Sequence, residues 1–238
     1  MNFFSIEDDI ALGKQLKQEI LSNPSQYPVL SRQQHPAAYN YLDNMVQQIL
    51  QSNDFQYRSD FAWEVYIVND DNTLNAFAAP GGYIFVYTGL IKYLDQPDAF
   101  AGVLGHEMAH ADRRHSTKQL SRQYGVSVLL GLLTGGDNQL LPQVLASLTN
   151  LKFSRSAERE ADKYSVIYLC DTPYAASGAA QFFTKLRSES GSRPPQFLST
   201  HPNPGDRVAD ITAEANQLNC SQQFQENSSS WNSFQRAL

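Results

Sequence analysis

Apolar residues recur at helical spacing in the first part of the chain and then change to a strand-like pattern. The period of three to four in residues 5–21 and in residues 36–52 predicts two amphipathic helices. Aromatic and β-branched residues fill residues 61–68 and 83–87, which predicts two strands. A short extended segment, residues 75–78, lies between these strands and is followed by a Pro-Gly-Gly turn.

The rest of the chain is mostly helical in pattern. Further helices are predicted over residues 97–115, from about 155 to 169, over 173–186 and over 205–217. The largely apolar stretch 117–150 is expected to form two helices around Gly135 and Gly136. Many helices with a few strands predict an α+β fold. Residues 1–220 are expected to form a single domain, and the Gln-, Asn- and Ser-rich residues 221–238 a loosely held polar tail.

Composition excludes several classes of protein. The hydrophobic fraction of 42% and the aromatic fraction of 11% are those of a globular protein. A net charge of −6, with no basic run longer than two residues, argues against nucleic acid as a partner. No stretch reaches the roughly 18 apolar residues that span a bilayer. For the most apolar segment, residues 124–133, a buried helix, a lid, an oligomer contact and a membrane-surface patch all stay open.

Two features bear on the cellular compartment. Cys170 and Cys220 are either bridged, as in an oxidising compartment, or two free thiols. The first residues lack the basic and apolar regions of a signal peptide, because three acidic residues, 7–9, interrupt them. The protein is therefore expected to be either cytoplasmic or exported with its leader removed.

The most specific chemical signal is the run Gly105-His106-Glu107-Met108-Ala109-His110. Residues i and i+4 share one face of a helix, so His106 and His110 can bind one metal ion. Glu107 lies about 100° around the helix, a position that suits a general base acting on water at the metal. The pattern His-Glu-x-x-His therefore indicates a zinc metalloprotease. The alternative is a helix that carries two histidines on one face by chance.

A third ligand is needed, and the sequence excludes one common choice. In metzincins a third histidine follows the second by six residues, but that position is Ser116. His115 misses it by one residue and is expected near the helix end, where a cation suits the helix dipole. A glutamate from a second helix is the other standard solution.

One segment can supply that glutamate. Glu158 and Asp162 are four residues apart and share a helix face. Glu158 could reach the metal, and Asp162 could accept the N–H of a ligand histidine. Glu160 faces elsewhere and is expected to be a solvated charge. An ordinary exposed helix with Glu and Arg pairs is the alternative for this segment.

Several separated motifs occur in an order that resembles a known family. They are Ile10-Ala11-Leu12-Gly13, Asn75-Ala76-Phe77-Ala78-Ala79-Pro80-Gly81-Gly82, Thr88-Gly89-Leu90, the His-Glu-x-x-His helix, Ser154-Arg155 before Glu158 and Asp162, and His201-Pro202 with Arg207. From about Phe3 to Arg207 the chain resembles the HtpX-like zinc metallopeptidases, family forty-eight of the metallopeptidases. This family includes the CAAX prenyl proteases and the Oma-type and BepA/LoiP-type peptidases, and the chain is similar to its soluble members.

The resemblance implies a mainly helical zincin (minigluzincin) domain with a small mixed β-sheet. It implies one Zn²⁺ on His106, His110 and Glu158. It also places His201 at the site, as an oxyanion donor or as a cap on the zinc at rest, with Arg207 paired to a nearby acid. Asn75, Ala76 and Phe77 are interpreted as an exposed edge strand that binds an extended substrate by β-augmentation, although Phe77 could equally pack into the core.

The function expected from these features is zinc-dependent endopeptidase activity on unfolded or misassembled polypeptides, in envelope protein quality control. A chaperone-like binding protein of the same fold is the alternative, although the intact Glu107 counts against it. The resemblance favours a periplasmic or otherwise exported protein over a cytoplasmic one. It leaves a peripheral association with a membrane or with outer-membrane proteins open.

Overall fold

Helices form most of the chain in the computed structural model, which describes residues 4–135, 138–189, 196–202, 205–226 and 228–238. In chain order the helices are α1 (Ile6–Ser22), α2 (Pro36–Ile49), α3 (Thr88–Tyr93), α4 (Pro97–Asp112), α5 (His115–Tyr124), α6 (Val126–Leu133), α7 (Leu141–Thr149), α8 (Arg155–Leu169), α9 (Gly178–Ser188), α10 (Gln196–Thr200), α11 (Arg207–Gln217) and α12 (Ser229–Arg236).

A small mixed sheet accompanies the helices. Its strands are β1 (Glu64–Val68), β2 (Ala76–Ala79) and β3 (Tyr83–Tyr87). The strand order is β1-β3-β2, with β1 parallel and β2 antiparallel to β3. The predicted α+β, zincin-like fold is thereby confirmed. The first strand begins later than predicted, because Trp63 has a positive φ of 50° that no strand accommodates.

The central element is α4, which carries both histidines of the His-Glu-x-x-His motif. All 16 of its residues are buried, because helices cover several of its faces. Glycine permits the closest approach: a Cβ on Gly102 would lie 2.0 Å from the backbone nitrogen of Ala179 at the start of α9. On the side of α8, the Ser165 hydroxyl donates a hydrogen bond of 2.8 Å to the Gly102 carbonyl. Small residues therefore fix the distance between the helices that build the site.

Two helix boundaries differ from the prediction because of left-handed residues. The helix expected over 97–115 ends at Asp112, since Arg114 has a φ of 59° and starts a new helix at His115. The guanidinium of Arg114 stabilises this turn by donating to the backbone carbonyls of Phe4 and Ser5. In the described part of the apolar stretch three α-helices form instead of two, because Gly125, with a φ of 83°, separates α5 from α6. Gly136 of the predicted break lies outside the described residues.

The expectation of a loosely held tail is wrong. Trp231 is 0% and Phe234 is 2% exposed, and both belong to the main core. The Trp231 indole nitrogen donates a hydrogen bond of 3.1 Å to the carbonyl of Leu94. Two aromatic residues three positions apart give α12 one apolar face, and their burial outweighs the polar composition around them. The predicted boundary at residue 220, between a domain of residues 1–220 and the segment 221–238, stays a prediction.

The two cysteines are bridged. Cys170, just after α8, forms a disulfide with Cys220, just after α11, and their Cα atoms are 4.9 Å apart. Of the two alternatives left open by the sequence, the structure has the bridge. Within the described residues, no helix has the length and apolar character needed to cross a membrane.

Candidate active site

Two neighbouring helices bring the histidines of α4 and a glutamate of α8 together. Nε2 of His106 and Nε2 of His110 are 3.0 Å apart, as expected for residues four apart on one helix face. The Glu158 carboxylate lies opposite, with Oε1 3.4 Å from His110 Nε2 and Oε2 3.5 Å from His106 Nε2. All three side chains are buried.

Helix capping explains where Glu158 sits. The Ser154 hydroxyl accepts a hydrogen bond of 3.2 Å from the backbone N–H of Ala157, which starts α8 and places Glu158 in its first turn. The positive end of the helix dipole favours a carboxylate there. Burial alone would raise the pKa of Glu158, but the surrounding histidines, first of all His201, bring it well below its usual range. The carboxylate is therefore ionised and could bind a cation.

His201 completes a cluster of four potential ligands. Its Nδ1 lies 3.3 Å from Nε2 of His106 and 3.2 Å from Oε1 of Glu158. The ring stacks on Phe197 at a centroid distance of 4.2 Å. The backbone N–H of His201, directly after α10, donates to the Phe197 carbonyl. The cluster comprises His106, His110, Glu158 and His201, each offering one ligand atom within 4.8 Å of the others.

These distances fit a small divalent cation. Bonds of about 2.05 Å in a tetrahedral site place neighbouring ligand atoms about 3.3 Å apart. The separations measured between the imidazole nitrogens and the carboxylate oxygens run from 3.0 to 3.5 Å. Burial lowers the pKa of His110 well below its usual range, so its ring is neutral and keeps a lone pair for a metal. Three imidazoles and a carboxylate are ligands that zinc accepts.

Glu107 is a buried carboxylate next to His201. Its side chain is 0% exposed, and among the described residues neither carboxylate oxygen has a hydrogen-bond partner. Burial raises its pKa to about 7. Its Oε1 lies 3.3 Å from Nε2 of His201 but outside hydrogen-bond geometry. An unbonded buried carboxylate is costly for folding, which points to a role in chemistry.

A second layer of side chains holds the first histidine. Asp162 Oδ1 lies 2.9 Å from Nδ1 of His106. Arg207, at the start of α11, donates to both oxygens of Asp162 and places Nη1 3.1 Å from Oε2 of Glu158. Its guanidinium lies 4.0 Å above the ring of Phe183. The structure thus brings Asp162 and Arg207 together beside the cluster, as their predicted roles require.

A different arrangement supports the second histidine, and here two expectations are wrong. His115 is 4% exposed, and its Nδ1 lies 2.9 Å from Nδ1 of His110. Burial lowers the pKa of His115 to about 4, so it is not a cation at a helix end. Glu160 is not simply solvated either, because its carboxylate bonds His115 at 3.2 Å and accepts from Arg113 Nε at 2.9 Å. The left-handed Arg114 turns the chain so that His115 faces back toward His110.

The segment predicted to bind substrate is an edge strand, but it is not exposed. β2 lies at one edge of the sheet, while Asn75 and Ala76 are 0% exposed and Phe77 5%. Phe77 stacks on Phe85 at 4.9 Å, which is the core packing left open above. Because the Tyr87 N–H donates to the Asn75 carbonyl, the antiparallel alternation directs the backbone groups of Ala76 away from β3.

Asn75 has an unusual environment. Its side-chain oxygen and nitrogen are both buried and have no hydrogen-bond partner among the described residues. A buried amide in this state loses its hydrogen bonds to water without replacing them. Its two functional groups, one donor and one acceptor, match those of a peptide backbone.

A His-Glu-x-x-His helix packed on a glutamate helix beside a small mixed sheet defines a zincin-like domain. Peptidase family M48 matches residues 36–215, and the chain belongs to this family.

Three relatives show how far the similarity extends. The chain is 30% identical over 198 residues to the putative β-barrel assembly-enhancing protease of Vibrio cholerae, covering 76% of the chain and 40% of that protein. It is 30% identical over 230 residues to the β-barrel assembly-enhancing protease of Yersinia pestis, covering 90% and 45%. It is 33% identical over 156 residues to the mitochondrial metalloendopeptidase OMA1 of Arabidopsis thaliana, covering 65% and 32%. The chain thus spans less than half the length of these relatives.

Proposed function

We propose that the protein is a zinc-dependent metalloendopeptidase with His106, His110 and Glu158 as metal ligands. The observation that carries this proposal is the buried cluster of ligand atoms at metal-like separations, beside a glutamate without hydrogen bonds. Nitrogen and oxygen ligands in this number suit zinc, and the two-histidine, one-glutamate set is typical of catalytic rather than structural zinc sites.

Each residue around the cluster has a distinct role in the proposed reaction. When bound, zinc would supply a Lewis acid that polarises the scissile carbonyl and makes a water molecule more acidic. Glu107, whose pKa lies at about 7, accepts a proton from the attacking water and passes it to the leaving amine. Asp162 accepts the Nδ1–H of His106 and directs its other nitrogen to the metal, and Arg207 holds Asp162 in place.

His201 has two proposed roles. Its Nδ1 lies where a fourth ligand would be, which supports a cap on the metal at rest. Substrate binding then requires the ring to move, after which an imidazole N–H becomes available to stabilise the oxyanion.

Substrate binding is assigned to the segment around β2. Because this edge is buried, it would have to open before an extended peptide could pair with the backbone of Ala76. The unbonded amide of Asn75 would then satisfy a main-chain group of that peptide. Recognition through the backbone gives little sequence specificity, which suits unfolded or misassembled polypeptides. The role of Phe77 is then to hold the strand in the core.

The compartment we propose is the periplasm or another exported location. The disulfide between Cys170 and Cys220 supports it, because such bridges persist in oxidising compartments. Two relatives carry names that refer to β-barrel assembly, which supports envelope quality control as the setting.

The test combines metal analysis with cleavage of casein, with and without a chelator. We expect about one zinc per chain and activity that chelation abolishes. Glu107→Gln should keep the metal and lose roughly 10²- to 10⁴-fold in rate, because only the general base is removed. Glu7→Gln makes the same substitution at an exposed site and should leave activity unchanged. Full activity of Glu107→Gln, or activity that resists chelation, would contradict the proposal.

A further inference from the structure

We propose that His115 is a positioning residue that orients the metal ligand His110 and fixes its tautomer, with Glu160 setting the tautomer of His115 in turn. This inference rests on the proposed metal site and adds to it a side chain outside the His-Glu-x-x-His motif. The two histidine ligands would then be supported differently, one by a carboxylate and the other by an imidazole backed by a carboxylate.

The first step is the position of the His110 ring. Its Nε2 faces His106 and Glu158, so its Nδ1 points to the opposite side. There Nδ1 of His115 lies 2.9 Å away, at hydrogen-bond distance. Phe153 stacks on the face of the His110 ring at a centroid distance of 3.9 Å, which restricts rotation of the ring. The His115 contact fixes the ring within its own plane.

The second step is the direction of the hydrogen bond. Nε2 of His115 lies 3.2 Å from Oε2 of Glu160. Glu160 forms an ion pair with the Arg113 guanidinium, and a carboxylate can only accept, so His115 is the donor to it. A neutral His115 with its proton on Nε2 has a lone pair on Nδ1. The Nδ1–H of His110 must then be the donor, which leaves the lone pair of His110 Nε2 for the metal.

The third step is a comparison with His106. Its Nδ1 meets the carboxylate of Asp162 at 2.9 Å, which is the usual support for a metal-bound histidine. Among the described residues no carboxylate contacts Nδ1 of His110, and His115 occupies that position instead. Within the described part of the chain, the polar partners of the buried His115 side chain are His110 and Glu160. The positioning role therefore accounts for both of its nitrogens.

The test compares two substitutions of His115 in the full chain. Zn²⁺ affinity is measured by competition with a chromophoric chelator, and apoprotein melting temperature is measured alongside. His115→Leu removes the acceptor and should weaken Zn²⁺ binding roughly 10- to 100-fold. His115→Asn keeps an acceptor atom at the position of Nδ1 and should bind Zn²⁺ nearly as well as the unmodified protein. If His115 had only a structural role, the Zn²⁺ affinities of the two variants would instead change in parallel with the melting temperatures of their apoproteins.

A third variant keeps the proposal testable if His115→Leu does not fold. Glu160→Leu changes a half-exposed residue and should weaken Zn²⁺ binding by a smaller factor, because the preferred tautomer of His115 is lost. Glu7→Leu is the matched control at an exposed helical glutamate and should have no effect.

The outcomes separate this inference from the proposed function. If the unmodified protein binds Zn²⁺ and either His115→Leu or Glu160→Leu binds it equally well, the positioning role is wrong and the metal site stands. If His115→Asn is as weak as His115→Leu, the hydrogen bond is not what matters and the inference falls. If the unmodified protein binds no Zn²⁺, the metal site and this inference both fail.

Discussion

Reducing the disulfide between Cys170 and Cys220 should destabilise the protein by several kcal/mol. The bridge closes a loop of 50 residues. The loss of chain entropy in the unfolded state then corresponds to about 4 kcal/mol at 25 °C. For a chain of this size the melting temperature should fall by roughly 8 to 16 °C.

The position of the bridge predicts a second effect. It links the ends of α8, which carries Glu158 and Asp162, and α11, which begins with Arg207. Loosening these two helices should raise the fraction of molecules in which the site is opened, so reduced protein should also lose zinc to a chelator faster.

The assay is thermal unfolding of oxidised protein, of protein reduced with a phosphine, and of the double variant Cys170→Ser and Cys220→Ser. The reduced protein and the double variant should melt together, and the reductant should not affect the double variant. Equal melting temperatures for oxidised and reduced protein would refute the reasoning, because the loop entropy would then have no effect.

Three further changes have expected outcomes. Gly102→Ala should lower the free energy of unfolding by about 3 kcal/mol, since its Cβ would lie 2.0 Å from the Ala179 backbone nitrogen. Urea unfolding measures this loss. As a control, a Cβ at Gly131 would meet nothing within 4 Å, so Gly131→Ala should be neutral or slightly stabilising. Asp162→Asn should weaken zinc affinity by roughly 10- to 100-fold in a chelator competition, because His106 loses its carboxylate; unchanged affinity would count against its proposed role. Trp231→Ala should cost about 3 to 5 kcal/mol by the same unfolding assay, and a much smaller loss would mean that α12 contributes little to the core.

Local patterns predicted the elements that carry the site. The i and i+4 spacings of His106 with His110 and of Glu158 with Asp162 depend only on helix geometry. The sequence therefore placed each pair on one face without any tertiary information. The strand over 83–87 could be predicted equally well, because five consecutive aromatic and β-branched residues strongly favour a strand.

The support of His110 could not be predicted in the same way. It depends on the left-handed conformation of Arg114. This conformation is uncommon for a residue other than glycine, so it cannot be predicted from the presence of an arginine at this position. A continuous helix through residue 115 would have turned His115 away. The signal that did exist was a third histidine within ten residues in a chain that has only 5.

The overall composition of the last residues did not reveal their role. The Gln, Asn and Ser content of residues 221–238 predicted a tail, whereas Trp231 and Phe234 are buried in the main core. Two large aromatic residues on one helix face outweigh many neutral polar neighbours, because those neighbours stay in water and cost little. The pairing of Cys170 with Cys220 likewise depends on how two distant helix ends meet.

The proposed ligand atoms of the metal site come from parts of the chain that are far apart. His106 and His201 are separated by 95 residues, and Glu158 and His201 by 43. An unfolded chain therefore cannot hold them around one ion, and the free energy of metal binding is available only to the folded state. By mass action, zinc at a hundred times its dissociation constant would add about 2.7 kcal/mol to the free energy of unfolding. The free energy of unfolding, and with it the melting temperature, should therefore depend on the zinc concentration.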